Sequence, residues 1–237
     1  MLLALDTSAA VTVAVHDGEQ VLAEASTHDP RRHAELLVPM VDEVLTRAGV
    51  SARDLTALAA GRGPGPFTGL RVGLVTARTL ALAIGLPVHG VTSLDALALQ
   101  ALDAGIASAG EEFVVTTDAR RREVYWACYR AVDRLGQLWP EAVTGPEVAR
   151  PRDVPVGGRP CAGRGAALYP DALPPAAVPA AAAVAHVLDP SAAAIARIAV
   201  AELATAAAPR DPQPLYLRRP DAVQPSAPKS VLRGRAP

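Results

Sequence analysis

Lysine is all but missing from this chain. Lys229 stands alone among 23 basic residues, the rest of which are arginine. With alanine so abundant, this reads as coding bias rather than chemistry. Neither sign of charge is in excess: 23 basic and 24 acidic residues leave a formal charge of −1, so the chain as a whole does not steer toward nucleic acid. Cysteine is scarce as well. Cys128 and Cys161 have no short metal spacing between them, and a reduced, cytoplasmic setting is the default. The five histidines, His16, His28, His33, His89 and His186, fall at no metal-binding spacing either. No clean membrane-length apolar run is present. Residues 1–5 are stopped by Asp6 and lack a basic lead, which argues against a signal peptide, and 176–208 is broken by Pro179, Asp189 and Pro190.

Apolar residues make up 50% of the 237 residues, enough to bury a core in one large domain or two lobes. The chain is organised around residues 61–71, GRGPGPFTGLR. Glycines supply backbone angles that other residues avoid and prolines fix them, so this is a shaped loop. Residues 55–60 before it read as a buried strand, and 70–84 after it as a helix. Strand, glycine loop and helix can cradle an anion on backbone N–H groups. No Gly-Lys-Ser/Thr follows, which excludes a P-loop, and the glycine spacing is not that of a dinucleotide fingerprint. A plain tight turn fits equally well. In the helix, Gly69, Gly73, Ala77 and Ala81 recur every fourth residue and form a stripe of small side chains. The stripe packs either on the chain's own sheet or on a partner.

Strands are expected at 2–5, 11–15 and 21–25, with Asp17-Gly18 as a turn. Between the first two, Asp6, Thr7 and Ser8 form a turn suited to phosphate or magnesium, or to hydrogen bonding alone. Asp29-Pro30 starts a helix that runs to Ala48, stops at Gly49 and kinks near Pro39. Its apolar stripe is Leu36, Leu37, Met40, Val41, Val44 and Leu45, with His33 and Glu35 solvated or facing a partner in its first turns. A strand at 88–91 and a helix at 94–102 continue the α/β alternation. A strand at 113–117 leads through Asp118-Ala119 and three arginines, Arg120, Arg121 and Arg122, to a strand at 123–131. That strand sets Val124, Trp126 and Cys128 on one face and Tyr125, Ala127 and Tyr129 on the other. The arginines suit phosphate, RNA or hairpin salt bridges. Residues 133–156 read as turns. Asp189-Pro190 starts a last helix reaching Ala207, and 215–218 tie the tail back to the body. From Gln224 onward little is available to pack.

Four motifs together resemble the TsaB (YeaZ) family of bacterial tRNA threonylcarbamoyladenosine biosynthesis proteins. They are LALDTS at 3–8, RGPGPFTGLR at 62–71, DARR at 118–121 and PLYLR at 214–218. Pro66 departs from the serine usual in the family and should stiffen the loop. The resemblance implies an α/β fold of the actin-like, sugar kinase and Hsp70 ATPase (ribonuclease H-like) class in a reduced two-subdomain form. The expected division is 1–103, 104–219 and a disordered tail at 220–237. It further implies a non-catalytic scaffold in the modification of adenosine 37 of tRNA. The expected partners are the catalytic paralogue TsaD, the ATPase TsaE, a second copy of the chain, and tRNA through the complex. No tightly bound cofactor is expected. ATP or ADP at a subunit junction would use Asp6, Thr7, Ser8, Gly63 and Gly65. The partner surface is expected on His33, Leu36, Leu37, Met40, Val41 and Val44 of the first helix, and on Gly69, Gly73, Ala77 and Ala81 of the second.

The catalytic paralogue carries a His-x-x-x-His metal pair after the strand that follows the glycine-loop helix. Here the matching positions hold Ser93 and Leu97, which are unfit for iron or zinc. Two other readings stay open. One is an independent ATP-dependent enzyme, a small-molecule kinase or M22-type protease, in which Asp6 orients a metal or nucleophile. The other is an RNA-binding module built on the three arginines.

Overall fold

The computed structural model describes residues 1–28, 32–175, 187–205 and 208–218. Alternating apolar residues and short turns make an antiparallel meander of β1 (Leu2–Asp6), β2 (Val11–His16) and β3 (Val21–Thr27), with Leu2 opposite His16 and Val11 opposite Thr27. β4 (Ala57–Gly61) joins the free edge of β1 in parallel, and β5 (Val88–Val91) joins β4 in parallel. The order β3-β2-β1-β4-β5, with only β2 running against the rest of the set β1, β4 and β5, is the ribonuclease H-like arrangement of actin-type ATPases. The expected fold class holds.

Both faces of this sheet are covered. On one lie α1 (His33–Ala48) and α2 (Phe67–Ile84), whose Leu37, Val44, Leu70 and Leu74 meet Leu3, Leu5 and Val13. On the other lies α5 (Ala192–Ala204), where Ala192, Ile195 and Ala199 meet Ala4, Ala14 and Ala59. Small residues on both sides let this helix approach the sheet closely. α2 is long and apolar enough to cross a membrane by length and composition, but its small-residue stripe is turned onto the sheet.

A second sheet has the order β8-β7-β6-β9, from β6 (Glu112–Asp118), β7 (Val124–Arg134), β8 (Gln137–Ala149) and β9 (Cys161–Ala162). The two faces expected for β7 are both buried. Tyr125, Ala127 and Tyr129 pack toward α3 (Ser93–Asp103), and Val124, Trp126 and Cys128 toward the side of α4 (Arg164–Leu168). α3 joins the sheets: Leu94 and Leu97 belong to the core of the second, Ala96 and Leu99 to that of the first. Residues 192–204, which fall in the second expected subdomain, pack on the first sheet.

Two local readings are corrected. Residues 137–149, read as turns, form the longest strand, β8. It is an edge strand, so it tolerates Pro140 and Pro146, and most of its side chains are exposed, so no alternation marks it. The last helix is capped by Ser191, whose hydroxyl accepts the Ala194 N–H at 3.1 Å, rather than by Asp189. α1 continues unbroken through Pro39. Its expected start at Asp29-Pro30 and the expected disordered tail lie outside the described residues. Cys128 and Cys161 are free and buried.

Residues 208–218 run as a strap. Gly90 N–H donates to Arg210 C=O (2.9 Å), and Leu215 N–H to Arg62 C=O (2.7 Å). Tyr216 lies against Phe67 with ring centres 5.0 Å apart, and Arg218 reaches Ala119 C=O (2.9 Å) and the Glu123 carboxylate. The expected tie of 215–218 to the body is present.

Candidate functional site

β1 ends at Asp6, which is buried beneath the glycine loop. Its Oδ1 accepts from the Ser8 N–H (2.7 Å) and Ser8 hydroxyl (2.6 Å), and its Oδ2 from the Ser93 hydroxyl (2.5 Å). Burial raises its pKa above the ordinary aspartate value, and the hydrogen bonds from Ser8 and Ser93 counter that only in part. Gly61 has to be glycine here, because a Cβ would coincide with the Asp6 carboxylate. Ser93 in turn accepts the Gly63 N–H at 3.1 Å and donates its own N–H to Gly63 C=O at 2.8 Å. One carboxylate thus pins the glycine loop to the start of α3.

Thr7 is equally committed. Its hydroxyl donates to Gly69 C=O (2.7 Å) and accepts the Gly73 N–H (3.0 Å). These two groups are four residues apart in α2, so the hydroxyl sits within the helix's own hydrogen-bond ladder. At Gly65 a Cβ would lie 2.8 Å from Ser8 C=O, so the loop is pressed onto the turn. Of the five residues expected to hold nucleotide, Asp6, Thr7, Gly63 and Gly65 are buried supports, and only Ser8 lines an open cleft.

That cleft is about 260 Å³ and lies between the two sheets. Ser8, Thr68 and Gly69 form one wall at the α2 N-terminus, and Asp118, Arg120 and Arg164 face them, with His28 at the rim. A helix N-terminus and two guanidinium groups favour an anion. Arg164 is already paired with Asp189, and Arg120 with Asp118 at 3.3 Å. The volume is below the roughly 300–1,000 Å³ of small-molecule sites. The residues fit a phosphate group; a whole nucleotide would need a further wall.

Beside the cleft, the β6–β7 turn holds Arg120, Arg121 and Arg122 at φ of 62°, 53° and 62°. A non-glycine residue in this left-handed region costs on the order of 1–3 kcal/mol. The sequence showed three arginines but no signal of this backbone.

Ser93 and Leu97, the positions expected to match the paralogue's metal pair, are committed elsewhere. Ser93 is bonded to Asp6, and Leu97 is fully buried in the core between α3 and the second sheet. Among the described residues no group of three or more His, Cys, Asp or Glu is arranged to hold a metal.

The helix residues expected to meet a partner turn inward in this chain. Leu37, Met40, Val41 and Val44 are buried, Leu36 packs beside them, and Gly69, Gly73, Ala77 and Ala81 are buried as well. The small-residue stripe faces Thr7 and the sheet so closely that a Cβ at Gly73 would lie 2.4 Å from the Thr7 hydroxyl. The side chain of His33 lies outside the described set. α1 and α2 do lie side by side, and their outer faces leave Val38, Phe67, Val75, Leu82 and Ile84 exposed. A shallow groove of about 410 Å³ runs there past Ala34, Phe67, Arg71 and Val75.

A family model described as TsaD, tRNA N6-adenosine threonylcarbamoyltransferase, matches residues 20–209. An uncharacterized protein of Mycobacterium leprae is 45% identical over 162 residues, 66% of this chain but 41% of that relative's length. The tRNA threonylcarbamoyladenosine biosynthesis protein TsaB of Escherichia coli is 40% identical over 156 residues, 64% of this chain and 65% of that one. The structure of YeaZ from Pseudomonas aeruginosa superposes with a TM-score of 0.73 at 34% identity, covering 91% of this chain and 99% of that one.

Proposed function

The chain belongs to the TsaB (YeaZ) family, and on that premise we propose that it is a non-catalytic subunit in the formation of N6-threonylcarbamoyladenosine at position 37 of tRNA. In this reading it works in the cytoplasm and holds the catalytic paralogue TsaD in its active shape. The ATPase TsaE joins the pair, tRNA is met through the complex, and the chain forms a homodimer when alone. The observation that carries the reading is the filled metal position: a serine committed to Asp6 and a core leucine cannot supply the ligands that the chemistry needs. The retained fold then serves as a surface. We assign the partner contact to the outer faces of α1 and α2, around Val38, Phe67, Val75 and Leu82, since the inner faces are spent on the chain's own core. ATP or ADP, weakly held, belongs in this reading to the cleft beside Ser8, with a partner subunit closing it. The division into 1–103 and 104–219 is part of the same proposal, with α5 clasping the second part to the first.

An independent kinase or protease is less well supported, because both carboxylate oxygens of Asp6 already have partners in this chain. The test is reconstitution of tRNA threonylcarbamoylation from the catalytic and ATPase subunits with and without this chain. Stimulation of turnover is expected; full turnover in its absence would end the scaffold reading.

A further inference from the structure

The turn joining β6 to β7 is built from the wrong residues for its shape. Glu123 N–H donates to Arg120 C=O and Ala119 N–H to Glu123 C=O, each at 3.0 Å, so that Arg120, Arg121 and Arg122 form a three-residue loop with a β-turn at Arg120–Glu123. Positive φ at both central residues makes that β-turn type I′, a shape dominated by Gly, Asn and Asp. A turn of no consequence has every reason to use those residues. This one uses arginine at both positions and at the left-handed residue before them. Such strain persists where the side chains themselves are needed.

The turn is also clamped. Asp118 accepts the Arg120 N–H at 2.7 Å and pairs with its guanidinium, while Arg218 of the strap grips Ala119 C=O and Glu123. Asp118 and Glu123 are thereby engaged at the base of the turn, and all three arginine side chains are exposed. Among the described residues no carboxylate is paired with Arg122. Arg120 continues the positive edge into the cleft beside Arg164 and His28. In a chain of net charge −1 this is a local concentration of guanidinium groups on a rigid mount.

We propose that this arginine turn is a contact for the sugar-phosphate backbone of tRNA. The inference rests on the tRNA-modification reading above. Guanidinium groups take phosphates in bidentate fashion, and a short loop tip positions an RNA without reading its bases. The chain then supplies part of the tRNA surface of the complex, besides bracing the catalytic subunit.

The test replaces the two turn residues by the pair the shape prefers, Arg121→Asn with Arg122→Gly, in the full-length chain. Thermal unfolding should shift upward, since strain is relieved while the turn is kept. tRNA binding by the complex with the catalytic subunit is followed by anisotropy over a salt series. Affinity should fall roughly fivefold and the salt slope should become shallower by about 1.5, as two phosphate contacts are lost. Affinity for the catalytic subunit should not change. Unchanged tRNA affinity and slope overturn the proposal. So does a loss of affinity for the catalytic subunit in place of tRNA, which would make the turn a contact for an acidic protein surface. A wild-type chain that fails to stimulate transfer counts against the scaffold reading alone, because the effect of the double variant on tRNA binding is read separately.

Discussion

At Thr7, one hydroxyl occupies the hydrogen-bond ladder of α2, and the glycine it faces has no room for a side chain. Gly73→Leu is therefore expected to damage the fold itself. Overpacking at so confined a point costs about 1–3 kcal/mol, read as a lowered urea midpoint with the unfolding slope preserved; a midpoint equal to wild type would contradict the packing. Asp6 gives a pH effect whose sign follows from burial. Its folded pKa lies above the 3.8 of an ordinary aspartate, because desolvation outweighs the hydrogen bonds from Ser8 and Ser93. The folded chain then holds this proton more tightly than the unfolded chain. The group's contribution is full below 3.8 and is lost as pH rises through the raised value. Asp6→Asn cannot ionise, so its stability relative to wild type should improve as pH rises through that window. Asp95, raised for the same reason, keeps a slope of the same sign in the variant. Denaturant titrations of both proteins at several pH values check this, and a variant whose stability relative to wild type falls as pH rises would refute it. The sequence displayed Asp6, Gly61 and Ser93, but their mutual bond spans 87 residues between Asp6 and Ser93 and leaves no local trace.

At the scale of elements, α2 has two apolar faces, and α1 adds Val38 to the outer one. Periodicity identified Leu37, Val44, Gly73 and Ala77 as one stripe per helix, and these stripes are the inner faces. Val38, Val75 and Leu82 fall between the stripe positions, so the pattern offered no reason to single them out, yet they remain in solvent. A Val75→Glu, Leu82→Glu double variant should fold with stability near wild type, since exposed substitutions stay within about 0.5 kcal/mol each. It should fail to form either the homodimer or the complex with the catalytic subunit, as measured by light scattering after gel filtration. A folded variant that retains both complexes would move the interface elsewhere. Most strands were legible from alternation or apolar runs. β8 was not, because burial is what writes alternation into a sequence, and an exposed edge strand is not required to have it.

At the scale of the whole molecule, order and topology were legible because the motifs at 3–8 and 62–71 mark the two parallel strands that flank the loop, β1 and β4. Of the long-range ties only that of 215–218 to the body was legible. His89 is buried between β5 and α5, where it meets Glu202 at 2.6 Å through Nε2 and accepts the Arg210 N–H at 3.1 Å through Nδ1, linking sheet, helix and strap. Histidine counting by spacing cannot find such a role. Deleting residues 208–218 should lower the thermal midpoint and speed amide exchange at Gly90 and in the 61–66 loop; exchange that stays slow at both would show that the strap is not what protects them. The same strap closes the open edge of the first sheet, since β5 is the terminal strand and Pro212 lies so close that a Cβ at Gly90 would be 2.8 Å from its Cα. On the ribosome, β1 through β5 are made more than a hundred residues before that cover exists. Until residues 208–218 emerge, β5 offers unpaired backbone to any neighbouring nascent chain, so prematurely terminated products should aggregate edge to edge, and slow translation of the final stretch should raise the demand on chaperones.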